Sequence, residues 1–164
     1  MPDTSLFVNR RAEFSPDRRY RYSLTILWDS GPMAAFIGLN PSTADEVQDD
    51  PTIRRCRGFA SEWGCGGMVM LNLFAFRATD PKVMKLEPDP IGKDNTIEFL
   101  DGVLSRCDGP RIACWGRGGS HLGRSAFVLQ ELKGLSYLRM SKGGEPWHPL
   151  YLPKGLKPYP FKEA

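Results

Sequence analysis

Three polar side chains and a glycine turn stand at or beyond apolar runs, and each is of a type that binds a ligand or moves a proton. Ala34-Ala35-Phe36-Ile37-Gly38-Leu39 breaks into Asn40-Pro41-Ser42-Thr43-Ala44-Asp45. Pro41 fixes its own φ and biases Asn40 toward extended geometry, so the carboxamide is held still. Asn-Pro-Ser-Thr reads equally well as a tight turn and as a site. Asn72 is the misfit in the apolar run Gly67 to Phe76. A buried amide without a partner costs about 1–3 kcal/mol, so Asn72 either caps neighbouring backbone or faces a ligand. Trp115-Gly116-Arg117-Gly118-Gly119-Ser120 closes a third apolar run. Strand, glycine turn and helix in that order form a phosphate-cradle layout in outline. The turn is neither a P-loop nor a Gly-x-Gly-x-x-Gly dinucleotide site, and by itself it reads first as a tight turn. His148, between Trp147 and Pro149, is either a capped loop histidine or a proton donor.

These residues need a frame. Tyr20 to Trp28 alternates apolar and polar residues, the period of a half-buried strand, and Asp29-Ser30-Gly31-Pro32 is turn chemistry. Met33 to Leu39 then reads as a fully buried strand, so the pair is expected to form an antiparallel hairpin. Asp50 and Pro51 suit the N-cap and first position of a helix. Its inward stripe is Ile53, Cys56, Phe59, Ala60 and Trp63, and Gly64 ends it. Arg54, Arg55 and Arg57 lie off that stripe, as a solvated face or a phosphate-contacting edge. Asp80-Pro81 repeats the cap signal for a short helical turn, and further helices are expected near 92–104 and 121–132. Alternating strands and helices predict an α/β fold: a three-layer α/β/α sandwich with a mostly parallel four-stranded central sheet and an N-terminal antiparallel strand. The central strands fall near 33–39, 67–74, 111–115 and 136–140. Residues 1–18 read as an irregular arm or a lead-in strand, and 153–164 as a surface tail of the same single domain. Asn40, Asn72, Trp115 with Gly116, and His148 then share the rim where such sheets bind ligands.

Composition narrows the classes. A chain of 164 residues with 41% hydrophobic content builds one domain with a sizeable core. Its 22 basic and 19 acidic residues leave a net charge of +3, which permits a nucleic-acid partner without demanding one. No run approaches a membrane span, and Met1-Pro2-Asp3-Thr4 does not open a secretory signal. Cys56, Cys65, Cys107 and Cys114 lack paired C-x-x-C spacing, so they are expected to be reduced core thiols of a cytoplasmic protein, with no zinc, iron–sulfur cluster or other cofactor. Oligomeric state leaves no signal.

The string Gly38 to Asp45, with Asp49-Asp50-Pro51-Thr52 and Asn72-Leu73-Phe74-Ala75, resembles an uncharacterised bacterial and phage domain-of-unknown-function family over about residues 20–153. More distantly, the chain resembles the uracil-DNA glycosylase superfamily. Gly38-Leu39-Asn40-Pro41 looks like its first motif, and Leu71-Asn72-Leu73 with Arg77 and Pro81 its second-strand segment. Ile112 to Gly116 is similar to the strand ending in Trp-Gly, and His148-Pro149 to the final motif. Ser42 replaces a usual glycine, and Leu150-Tyr151 stands where glycosylases carry small polar residues and a gap-filling side chain.

That resemblance implies binding of a nucleobase or nucleotide, in nucleic acid or free, and cleavage or transfer at its N-glycosidic bond. Asn40 would orient water and His148 would hydrogen-bond the departing base. Asn72 would read the base edge, and Phe74 or Trp115 would stack on it. Ser42, Thr43 and the amides of Gly116 to Gly119, Gly118 included, would hold phosphate, with Gly38, Pro41 and Arg77 completing the rim. A non-catalytic binding module is the alternative. Asp45, Asp49 and Asp50 admit a rival role, holding a divalent cation or acting as general base.

Overall fold

The computed structural model describes residues 9–45 and 47–161. The fold is α/β, with a seven-stranded mixed sheet and several helices. The strands are β1 (Asn9–Phe14), β2 (Arg21–Leu27), β3 (Met33–Gly38), β4 (Gly67–Asn72), β5 (Arg111–Ala113), β6 (Ser136–Tyr137) and β7 (Tyr159–Pro160). The helices are α1 (Pro51–Glu62), α2 (Pro81–Leu86), α3 (Ile97–Ser105) and α4 (Arg124–Glu131). Across the sheet the order is β1-β2-β4-β3-β5-β6-β7. β4, β3, β5 and β6 run parallel, and β1, β2 and β7 join antiparallel at the flanks.

Strand alternation divides the core. Along β3, Ala34 and Phe36 face one way with Met68, Met70 and Cys114, packed under Ile53, Cys56 and Phe59 of α1. Ala35 and Ile37 face the other way with Val69, Leu71 and Trp115, under Leu100 and Leu104 of α3 and Val128 of α4. A strand buried on both faces is apolar throughout, which is why β3 and β4 carry no alternating pattern.

The cap signals hold. The Asp50 carboxylate accepts from the Ile53 amide at 2.9 Å with Pro51 in the first turn, and Asp80 caps α2 through the Lys82 amide at 2.9 Å. The expected hairpin between β2 and β3 does not form, because β4 lies between them. β2 pairs antiparallel with β4, Leu24 opposite Met70. The connection from β2 to β3 passes tightly over the start of β4: Trp28 and Asp29 both donate to the Gly66 carbonyl, at 2.9 and 3.0 Å. A Cβ on Gly66 would lie 2.4 Å from the Asp29 carbonyl oxygen, so only glycine permits the crossing.

Other boundaries shift for local reasons. The strand expected at 136–140 contracts to two residues. The C-terminal tail contributes an edge strand, β7, which pairs with β6. Residues 9–14 form a strand, the lead-in alternative for that segment, while residues 1–8 lie outside the described chain. The third helix begins at Ile97, where the Thr96 hydroxyl accepts from Phe99 at 3.1 Å. The fourth begins at Arg124, because His121 is extended and Leu122 has φ of 56°. Among the described residues no helix is long and apolar enough to cross a membrane.

Candidate functional site

The rim is built on the ends of β3 and β4. Gly38 and Asn72 are register partners, and a Cβ on Gly38 would lie 2.9 Å from Asn72 Oδ1 and 2.6 Å from the Met70 methyl carbon. The missing side chain at position 38 therefore makes room for the Asn72 carboxamide. That carboxamide is buried, and its Nδ2 has no hydrogen-bond partner among the described residues. The backbone around it is fully engaged. Asn95 Nδ2 donates to the carbonyls of Asn72 and Leu73, at 3.0 and 3.2 Å. The buried Arg124 donates from Nε to Leu73 O at 3.1 Å and from Nη2 to Asn95 O at 2.7 Å. The strand end is braced, and one donor on it is left over.

Asn40 takes a different position. Its Nδ2 donates to Ala78 O at 2.8 Å and to Pro41 O at 3.2 Å, while Ala78 N donates back to Pro41 O at 2.9 Å. The Asn-Pro loop is thereby laced to the segment after β4, leaving Oδ1 as the available group. Ser42 reaches Thr79, hydroxyl to hydroxyl, at 3.5 Å, and Arg77 lines the same small pocket. Thr43 is exposed to solvent.

His148 begins a short 3-10 turn, and its Nδ1 accepts from the Leu150 amide at 3.3 Å. A nitrogen that accepts carries no proton, so the neutral ring holds its hydrogen on Nε2. Burial pushes this imidazole below its ordinary value of 6.5, opposed by the Asp50 carboxylate. At neutral pH the side chain is an uncharged donor through Nε2. The folded-state value is depressed, so unfolded chains bind more protons just below 6.5. The stability associated with the neutral ring is complete above 6.5 and is lost as pH falls from there through the depressed folded value. Histidine NMR titration, with His121→Asn to assign the two rings, is expected to place His148 below 6.5. A midpoint at or above that value would remove the neutral-donor argument.

Phe74 and Trp115, expected to stack on a ligand, are both fully buried. Phe74 packs against His121 with ring centroids 5.5 Å apart, and Trp115 Nε1 donates to Glu145 Oε2 at 2.5 Å. Neither offers a ring face to an incoming base. The glycine turn also has a packing explanation. Gly116 has φ of 74°, Gly118 abuts the Leu39 side chain, and Gly119 sits on the Trp115 indole. The Gly116 and Gly119 amides donate to the Pro146 and Gly116 carbonyls, so two of the four amides expected to hold phosphate are already engaged.

The acids do not converge. Asp45 accepts the Val47 and Gln48 amides at 2.8 and 2.9 Å, and Asp49 pairs with Arg10 at 2.5 Å and Arg57 at 3.0 Å. Asp50 caps α1, so the shared-cation reading loses its basis. Among the described residues no three His, Cys, Asp or Glu side chains come together as a metal site, and all four cysteines are buried and free. The α1 arginines are engaged as well: Arg57 on Asp49, Arg55 on the Leu152 carbonyl, and Arg54 on Asp49 O.

Two features escaped sequence reasoning. Beside His148, a cavity of about 280 Å³ is lined by Gly116, Arg117, Ser141, Trp147 and Tyr151, which supply two part-exposed aromatic rings. Their signal was their adjacency to His148. The other is Arg21, 2% exposed, whose Nη1 donates to Ala44 O at 2.7 Å. In the β1–β2 ladder Ser23 faces Glu13 and Arg21 faces Phe14, so Tyr22 is an extra residue. That bulge re-aims Arg21 into the core beneath α1. Nothing in the alternating pattern of β2 foretells a bulge.

Residues 21–150 match the family described as "Protein of unknown function (DUF1643)", and the chain belongs to that family. Comparison with curated proteins found no match. Among solved structures, the chain is similar to an aminopeptidase from the marine sediment archaeon Thaumarchaeota archaeon, at 13% identity and a TM-score of 0.35. The likeness covers 84% of this chain and 26% of that one, too slight to carry an argument.

Proposed function

We propose that the protein binds a nucleobase or nucleotide at the carboxyl rim of its parallel strands, as a three-layer sandwich of the uracil-DNA glycosylase type. The observation that carries the reading is the unpartnered Asn72 Nδ2 at the end of β4. Folding leaves a buried donor unsatisfied only at a cost, and a base carbonyl would remove that cost. His148 adds a neutral Nε2 donor for negative charge developing on a departing base. On that chemistry the protein is a hydrolase of the N-glycosidic bond, with Asn40 Oδ1 orienting water. A second reading, a binding module without turnover, is favoured by Asn40 itself, whose Nδ2 is already engaged in holding the loop.

Asn72→Leu separates fold from function. Removing an unsatisfied donor is expected to leave stability unchanged or raise it by about 1 kcal/mol, while base binding weakens by about 1–3 kcal/mol. Urea unfolding and calorimetry with free bases, nucleotides and oligonucleotides measure the two effects. Base binding equal to wild type in this variant would sink the proposal. Glycosylase assays on uracil, thymine-mismatch and damaged-base substrates decide between the readings. On the catalytic one, Asn40→Ala abolishes turnover with binding largely kept, and His148→Ala slows it.

A further inference from the structure

A pocket of about 290 Å³ lies beside the Asn-Pro loop, lined by Arg18, Arg19 and Arg77, the Ser42 and Thr79 hydroxyls, and Phe76. Three arginines and two hydroxyls line it, and among the described residues no acidic side chain does. The arginines come from two separate elements that the fold ties together. Arg18 and Arg19 occupy the β1–β2 turn, and Arg77 follows β4. Arg77 N donates to Arg19 O at 2.9 Å, and Arg77 Nη1 to Arg18 O at 3.2 Å.

The turn holds an unusual conformation. Arg18 has φ of 60°, the left-handed region in which glycine or asparagine is the ordinary occupant. Asp17 Oδ1 accepts from the Ser15 hydroxyl at 2.7 Å and the Arg19 amide at 3.1 Å, and the Ser15 hydroxyl accepts from Tyr20 N at 3.1 Å. A strained, well-braced turn that displays cations is a pattern associated with ligand contact. Arg77 Nε is buried without a partner among the described residues. The cations are already in part engaged: Glu87 reaches Arg19 at 3.4 Å, Arg18 and Arg77 lie over the Phe14 ring, and Arg18 has further contacts, while Asp45 accepts two backbone amides. The pocket wall is also the segment that Asn40 holds, through its bond to Ala78 O.

We infer that this pocket is a phosphate-binding site, taking the phosphate of a nucleotide or of a nucleic-acid strand. Planar guanidinium forks match phosphate oxygens in pairs, and two hydroxyls supply further donors. The Asn-Pro loop then sits between a phosphate site and the Asn72 strand end. The inference stands on the arginines alone and does not require the base reading.

The test is calorimetry with inorganic phosphate, thymidine monophosphate, a short oligothymidylate and a base-free deoxyribose-phosphate oligomer, at low and physiological salt. Arg19→Gln, at an exposed position, and Arg77→Gln are each expected to weaken binding about tenfold and to flatten its salt dependence. Thr79→Val, an exposed hydroxyl position, is expected to weaken it less and guards against a folding defect in Arg77→Gln. Arg54→Gln, on the outer face of α1, is expected to change nothing. Arginine-dependent binding of the two oligomers identifies a phosphodiester, and arginine-dependent binding of the monophosphate or phosphate alone identifies a monoester or free ion. Equal affinity for the base-free and thymine oligomers would count against the base reading and leave this one standing. Binding of none of the probes, wild-type affinity in Arg19→Gln and Arg77→Gln, or an equal loss in Arg54→Gln would overturn it.

Discussion

Gly119→Ala is expected to destabilise the protein by about 3 kcal/mol, at the upper end of what overpacking costs. The added Cβ would lie 2.2 Å from Trp115 Cδ1 and 2.6 Å from its Nε1. The indole cannot retreat, since it is fully buried and its Nε1 is held on Glu145. Gly58→Ala supplies the opposite sign. Gly58 sits within α1, where an added methyl would meet nothing within 4 Å, and alanine there should add about 0.8–1.0 kcal/mol through helix propensity. Urea unfolding of both variants checks the pair. If Gly119→Ala unfolds like wild type but loses ligand, the glycine turn serves binding, and the packing account of it fails.

Arg21→Met is expected to cost about 1–3 kcal/mol, because it strips the buried Ala44 carbonyl of its donor and takes a nearby positive charge from the Asp50 carboxylate. Burial lowers the Arg21 guanidinium to about 10, with the Asp50 carboxylate opposing, so the group is charged at neutral pH. Without it Asp50, itself 6% exposed, keeps the Ile53 amide as a donor but loses that opposing charge. Asparagine keeps the helix cap, so Arg21→Met with Asp50→Asn should recover the electrostatic part of the loss and not the lost Ala44 bond. Denaturant unfolding of the cycle measures the coupling. Additive single-variant losses would show that the two charges do not interact.

The legible parts of the chain were those written in local chemistry. Asp50-Pro51 and Asp80-Pro81 announce their helices because a cap needs only neighbouring residues. The apolar runs of β3, β4 and β5 announce themselves because strands buried on both faces tolerate little else. Asn72 was legible as a misfit for the same reason. Whatever depends on distant partners was not legible. Asp29-Ser30-Gly31-Pro32 has hairpin chemistry, yet β4 takes the place beside β2. Arg21 owes its burial to a bulge, and the basic pocket joins residues 18, 19, 42, 77 and 79 from separate turns. Phe74 and Trp115 showed their type but not their depth, and the solvent-facing rings belong to Trp147 and Tyr151.

The place of β4 between β2 and β3 also orders events in time. The β1–β2 hairpin is local and closes quickly, but its inner edge stays open until residues 67–70 arrive to pair with 24–27. Asn40 waits longer, because its anchor, Ala78, lies 38 residues downstream. As a nascent chain leaves the ribosome, the Asn-Pro loop is made early and locked late. The rim therefore matures only after the central strands have closed, and an interrupted chain ending before Ala78 carries the motif without its geometry.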